Sequence, residues 1–105
     1  VSDNLPAVTN LRLLHITLNL FRAVEEEELE KTFNKAIDYA HYAPNCWLVL
    51  TSSNVERWQG RLMPLLGDND TLLICEVQPA SIHGWIQNWI IEWIVKSKRR
   101  ILNHE

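Results

Sequence analysis

What the chain lacks narrows it first. No apolar run approaches the roughly 18 to 20 residues that span a bilayer as a helix. The first ten residues, VSDNLPAVTN, are polar and carry no basic stretch of the kind that opens a secretory signal. Together these set the expectation of a cytoplasmic protein without membrane contact. Cysteine is scarce: Cys46 and Cys75 are the two present, too few to make a metal site between them. Each sits in or beside an apolar run, so two buried free thiols are expected rather than a disulfide. An excess of charge of one sign is small too. A net charge of −3 does not suit a protein that coats nucleic acid through its overall charge, though it leaves room for a local basic patch. There is no internal repeat and no low-complexity linker.

What is present is a chain of one-domain size, 105 residues with 47% hydrophobic side chains, enough to bury a core. The stretch 46–77 organises it. CWLVLT reads as a short buried strand. Ser53 and Glu56 have the spacing of a capping box, and Val55, Trp58, Leu62 and Leu65 or Leu66 recur at helical spacing over 54–66. Gly67-Asp68-Asn69-Asp70 then stops the helix and turns the chain, and TLLICEV is a second strand. Asp68 and Asp70 read as turn residues rather than as a calcium loop.

Upstream, residues 1–10 read as a loose leader. Residues 11–20 alternate Leu14, Ile16 and Leu18 with His15, Thr17 and Asn19, the period of a strand. Residues 25–35 read as a helix whose first turn holds Glu25 to Glu28, where the helix dipole favours negative charge. Residues 36–43 fit either a continued helix or a strand. The alternation of Ile37, Tyr39 and His41 with Asp38, Ala40 and Tyr42 favours a strand, with Pro44-Asn45 as the turn of a hairpin. Downstream, the spacing of Trp85, Ile86, Trp89, Ile90, Trp93 and Ile94 predicts a last helix over 85–96 with a wide apolar face. A basic tail, 97–105, follows. Lys96, Lys98, Arg99 and Arg100 sit at the helix end that favours cations.

The order is β-α-β-β-α-β, then α. The expected class is α+β: a ferredoxin-like βαββαβ antiparallel sheet with an additional Trp-rich C-terminal helix, one domain over 11–96. The usual 4-1-3-2 strand order places the first strand between the two cysteine-bearing strands. Strands two apart lie roughly 9 to 10 Å from one another, beyond the reach of about 7 Å that a disulfide allows. The strands carry apolar residues on both sides: Trp47 and Val49 against Leu48 and Leu50, Leu72 and Ile74 against Leu73 and Cys75. A sheet open to water on one face alternates more cleanly. Either the Trp-rich helix folds back over the second face or a second copy of the chain covers it. A homodimer using the hairpin, the last helix or both is expected, with Trp85, Trp89, Trp93, Ile86 and Ile90 as interface residues.

The spacing of His41 and Trp47, WLVLTSS, the helix ending LMPLL, DNDTLLICEV, and Gly84-Trp85 with Trp93-Ile94 together resemble the SinR-like proteins. That group belongs with the VapD-type toxins and the small CRISPR-associated ferredoxin-like nucleases. The resemblance covers about residues 11–95. It implies an Asp near the end of the first strand, paired across a two-fold axis, that binds magnesium or manganese and activates water for phosphodiester cleavage. The matching position is Asn19, whose neutral amide is a poor metal ligand and no general base. The chain therefore reads as a non-catalytic dimeric module with no cofactor, acting through protein contacts, with Arg22, Lys96, Lys98, Arg99 and Arg100 as candidate phosphate contacts. A metal-dependent endonuclease and a docking subunit of a larger assembly are the alternatives.

Overall fold

The computed structural model describes residues 10–21, 24 and 26–103. The elements are β1 (Arg12–Asn19), α1 (Glu26–Phe33), β2 (Asp38–Ala43), β3 (Cys46–Thr51), α2 (Val55–Leu62), a 3-10 turn (Met63–Leu65), β4 (Thr71–Val77), a second 3-10 turn (Pro79–Ser81) and α3 (Asn88–Asn103). The protein is α+β, with a four-stranded sheet in the order β2-β3-β1-β4. Every neighbouring pair is antiparallel. Read from the β4 edge, the order is 4-1-3-2.

Residues 36–43 supply a strand rather than more helix. The last turn of α1 closes through Asn34 N–H to the Glu30 carbonyl at 2.8 Å, and the Ile37 N–H then reaches the Leu50 carbonyl at 2.9 Å. That bond carries the chain into the β2–β3 hairpin.

One face of the sheet is covered by α1 and α2. Leu14, Ile16 and Leu18 of β1 share a buried cluster with Trp47 and Val49 of β3, and Phe33, Trp58 and Leu62 close it from the helices. Phe33 stacks on Trp47 with centroids 4.7 Å apart and planes 8° from parallel. His41 also stacks on Trp47, at 4.2 Å. Trp58 is fully buried, and its Nε1 donates to Thr51 Oγ1 at 3.1 Å. This bond ties α2 to the end of the strand before it.

The N-terminus of α2 differs from the expected capping box. Asn54 is the cap, and its Oδ1 accepts from the Arg57 N–H at 2.9 Å. Ser53 instead donates its N–H to Thr51 Oγ1 at 3.0 Å. A cap must stand one residue before the first helical position, and that residue is Asn54, held in an extended conformation. At the other end, Pro64 stands second in the tighter Met63–Leu65 turn, where its missing N–H ends the α-helical ladder. The turn into β4 is held by Asp70, which accepts from the Gly67 N–H at 2.7 Å and from the Phe21 N–H at 2.8 Å. Asp70 thus works as a turn residue.

The last helix is displaced from its expected 85–96. It runs Asn88–Asn103 and includes most of the basic stretch first read as a tail. The apolar spacing begins at Trp85, but the first turn closes only where Gln87 O accepts from Ile90 and Ile91, at 3.0 and 3.3 Å. Side-chain periodicity does not report where hydrogen bonding starts. Lys and Arg are good helix formers, so the helix passes through residues 96–100 unbroken. Among the described residues, no helix is long and apolar enough to cross a membrane.

Candidate functional site

The second face of the sheet is the candidate site. It carries Ala40 from β2, Leu48 and Leu50 from β3, Leu13, His15 and Thr17 from β1, and Leu73, Cys75 and Val77 from β4. The last helix lies over part of it. Ile90 is fully buried and forms a second cluster with Ala40 and Leu48, flanked by Tyr42, Ile86, Trp93 and Ile94. So α3 supplies a cover from within the same chain.

At 3.6 residues per turn, α3 divides into three stripes. Ile90, Trp93, Ile94 and Ser97 face inward, and Ile90 and Ser97 are buried. Glu92, Lys96, Arg99 and Arg100 share the outward side, and all are exposed. Between them runs a third stripe, Ile91, Val95, Lys98 and Leu102, at spacings of four, seven and eleven. Its three apolar members are exposed.

This third stripe looks onto a cavity of about 490 Å³. Leu48, His15 and Tyr42 belong to its sheet side. Val77, Ile82 and Ile86 line it from the end of β4 and the loop that follows, and Ile91, Ile94 and Val95 line it from α3. Its remaining polar side chains are His83 and Lys98, both exposed. Among the described residues, no carboxylate lines it.

Tyr42 reaches from β2 across β3 to hydrogen-bond with His15 Nε2. Burial lowers the His15 imidazole below its ordinary pKa of 6.5. Burial raises the Tyr42 phenol, and the hydrogen bond and charge of the Cys46 thiol add to that rise. A base with a depressed folded pKa stabilises the fold above its unfolded pKa and loses that contribution as pH falls. The chain is thus expected to be less resistant to urea at pH 5.5 than at pH 7.5, and His15→Gln should reduce that difference. An unchanged difference in His15→Gln would assign the loss to other groups.

The two sheet edges differ. On β2 the register shifts between His41 and Ala43, and the Asp38 carboxylate caps the Tyr39 N–H at 2.9 Å. A bulge and a charge both blunt an edge against further pairing. β4 has no bulge, and its one charge, Glu76, stands on the first-face side against Arg12 at 3.4 Å. It pairs with β1 over its whole length without a shift, and it contains no proline and no basic residue. Leu73, 64% exposed, stands on its second-face side.

Both thiols are free, and β1 separates their strands. They are not both buried, as the apolar context suggested. Cys46 is half-buried and Cys75 exposed, since β4 is an edge strand that α3 leaves open. Asn19 lies at the end of β1 and donates from Nδ2 to Thr71 Oγ1 at 3.3 Å. Arg22 lies outside the described residues, as do residues 1–9 and 104–105. Lys96, Arg99 and Arg100 come together on the outward side of α3, while Lys98 turns to the cavity. The expected interface set divides. Trp85 is 100% exposed, ahead of the helix, and Trp89 is 52% exposed, whereas Ile90, Trp93 and Ile86 pack in the chain's own second cluster. Among the described residues, no group of three or more His, Cys, Asp or Glu side chains is placed to hold a metal ion.

Sequence reasoning missed the His15–Tyr42 pair and the cavity above it. Alternation put both residues on strands, but their meeting depends on a phenol spanning an intervening strand. Fold and site together define a small α+β protein whose described residues form a four-stranded antiparallel sheet with three α-helices and a half-covered second face. The chain matches no model of a known protein family, no curated protein and no solved structure.

Proposed function

We propose that this chain is a non-catalytic homodimeric module of ferredoxin-like architecture that acts through protein contacts. The architecture is supported by the 4-1-3-2 order and by the two middle helices sharing one face with Trp47 and Val49. The observation that carries the dimer is the β4 edge, unpaired on its outer side among the described residues and without a bulge, with Leu73 exposed. A two-fold pairing of β4 with its copy would continue the sheet across the axis and be self-complementary. The exposed Ile91, Val95 and Leu102 on the third stripe of α3 add apolar surface to the same half of the second face. The SinR-like resemblance points the same way, toward a dimer. The Asn19 amide engaged with Thr71 suits a structural strand end better than a metal-assisted hydrolase. Lys96, Arg99 and Arg100 on one outward stripe would offer each protomer a weak, salt-sensitive contact for phosphate.

The test is Leu73→Lys, a charge placed on an edge strand to block pairing. Sedimentation equilibrium near 50 µM should give a dimer for the natural chain and a monomer for the variant, with unchanged far-ultraviolet dichroism in both. A natural chain that is monomeric at that concentration overturns the reading. A second reading, a docking subunit for a different protein, rests on Trp85, fully solvated beside the half-exposed Trp89. A heterogeneous, self-adhering monomer would favour it.

A further inference from the structure

We propose that the cavity between α3 and the second face binds a small organic acid with an apolar body, of the medium-chain fatty-acid kind. The cavity shares Ile91 and Val95 with the apolar surface offered to the dimer above, so the monomeric Leu73→Lys chain is tested beside the natural one. Its volume, about 490 Å³, lies in the range of pockets that hold small organic ligands. Its walls are aliphatic on both sides: Leu48 and Val77 from the sheet, Ile91, Ile94 and Val95 from the helix. The two polar groups on the sheet side, His15 and Tyr42, bond to each other. That bond occupies the phenol and His15 Nε2, so the pair presents a ligand with little more than the His15 Nδ1 edge beside aliphatic wall. The lining side chains outside that pair with hydrogen-bonding capacity are Lys98 and His83, both exposed and therefore at the mouth. With no carboxylate among the described lining residues, the fixed charge they place at the mouth is positive, from Lys98. A ligand would enter tail first and leave an anionic head beside Lys98.

Decanoate, decanol and decyltrimethylammonium share a tail and differ in the head. Each is titrated into the full chain, below its micelle concentration, while amide shifts of Ile91, Ile94 and Val95 are followed by NMR. Decanoate should saturate at sub-millimolar concentration, and the cation should bind at least tenfold more weakly. Lys98→Gln should weaken decanoate about three- to fivefold, the scale of one exposed ion pair, and leave decanol unchanged. Val95→Trp, on the exposed side of α3, should fill the cavity and abolish binding of both, with the thermal midpoint confirming that the variant is folded. Equal binding of the three heads, or binding that survives Val95→Trp, overturns the proposal. So does decanoate binding seen only in the monomeric Leu73→Lys chain, since the cavity would then belong to a second copy.

Discussion

Trp58→Ala is expected to be the most destabilising single truncation in the molecule, at about 3–5 kcal/mol. Trp58 is fully buried and sits at the meeting point of α2, α1 and the sheet. Phe33 stacks beside it with centroids 6.0 Å apart, and the Arg61 guanidinium lies 4.9 Å from its ring centre. Alanine removes both contacts and leaves a void among the buried side chains of Leu62, Phe33 and Trp47. It also removes the donor to Thr51 Oγ1, although that oxygen still accepts from the Ser53 N–H. Trp58→Phe keeps most of the ring and loses the hydrogen bond, for a smaller loss that includes about 1 kcal/mol for the bond. Urea unfolding checks both, read as a fall in midpoint at constant slope. A Trp58→Ala midpoint indistinguishable from that of the natural chain would mean that α2 is not part of the cooperative core.

The second large effect is at Ile90. It is the fully buried member of the smaller cluster, seated on Ala40 and Leu48. Ile90→Ala is expected to cost about 2–5 kcal/mol. Ile90→Asp, which puts an unpaired carboxylate in an apolar contact, should undock α3 altogether. The outcome differs in kind from Trp58→Ala. The larger cluster on the opposite face is untouched, so the sheet with α1 and α2 should keep its hydrogen-exchange protection while α3 loses its own. Because the two residues lie on opposite faces of the sheet, Trp58→Ala and Ile90→Ala should add to within about 0.5 kcal/mol. Loss of protection through the whole sheet in Ile90→Asp would show instead that the helix and the rest of the fold form one cooperative unit.

These two residues also mark how far the sequence could be read. Trp58 was placed correctly by periodicity alone, because its neighbours in the helical repeat, Leu62 and Val55, define one face wherever that helix goes. Ile90 was assigned to an apolar face, but the partner of that face stayed open between this chain and a second copy. Nothing local distinguishes the two: an apolar stripe has the same pattern whichever surface it meets. The same limit explains Asn54. Ser53 and Asn54 are both good caps, and the choice between them follows from where Thr51 ends its strand.

By itself, the sequence determined the strands, the middle helices, the hairpin turn at Pro44-Asn45 and the apolar character of both sheet faces. Each rests on neighbours a few residues apart, which a periodic pattern records directly. Only the tertiary structure decided which third of α3 meets the sheet, that Tyr42 meets His15, and that β4 stands at the sheet edge beside a cavity. Those are contacts between residues 27 or more positions apart, or the absence of contact, and their free energy depends on how whole elements dock rather than on any spacing along the chain.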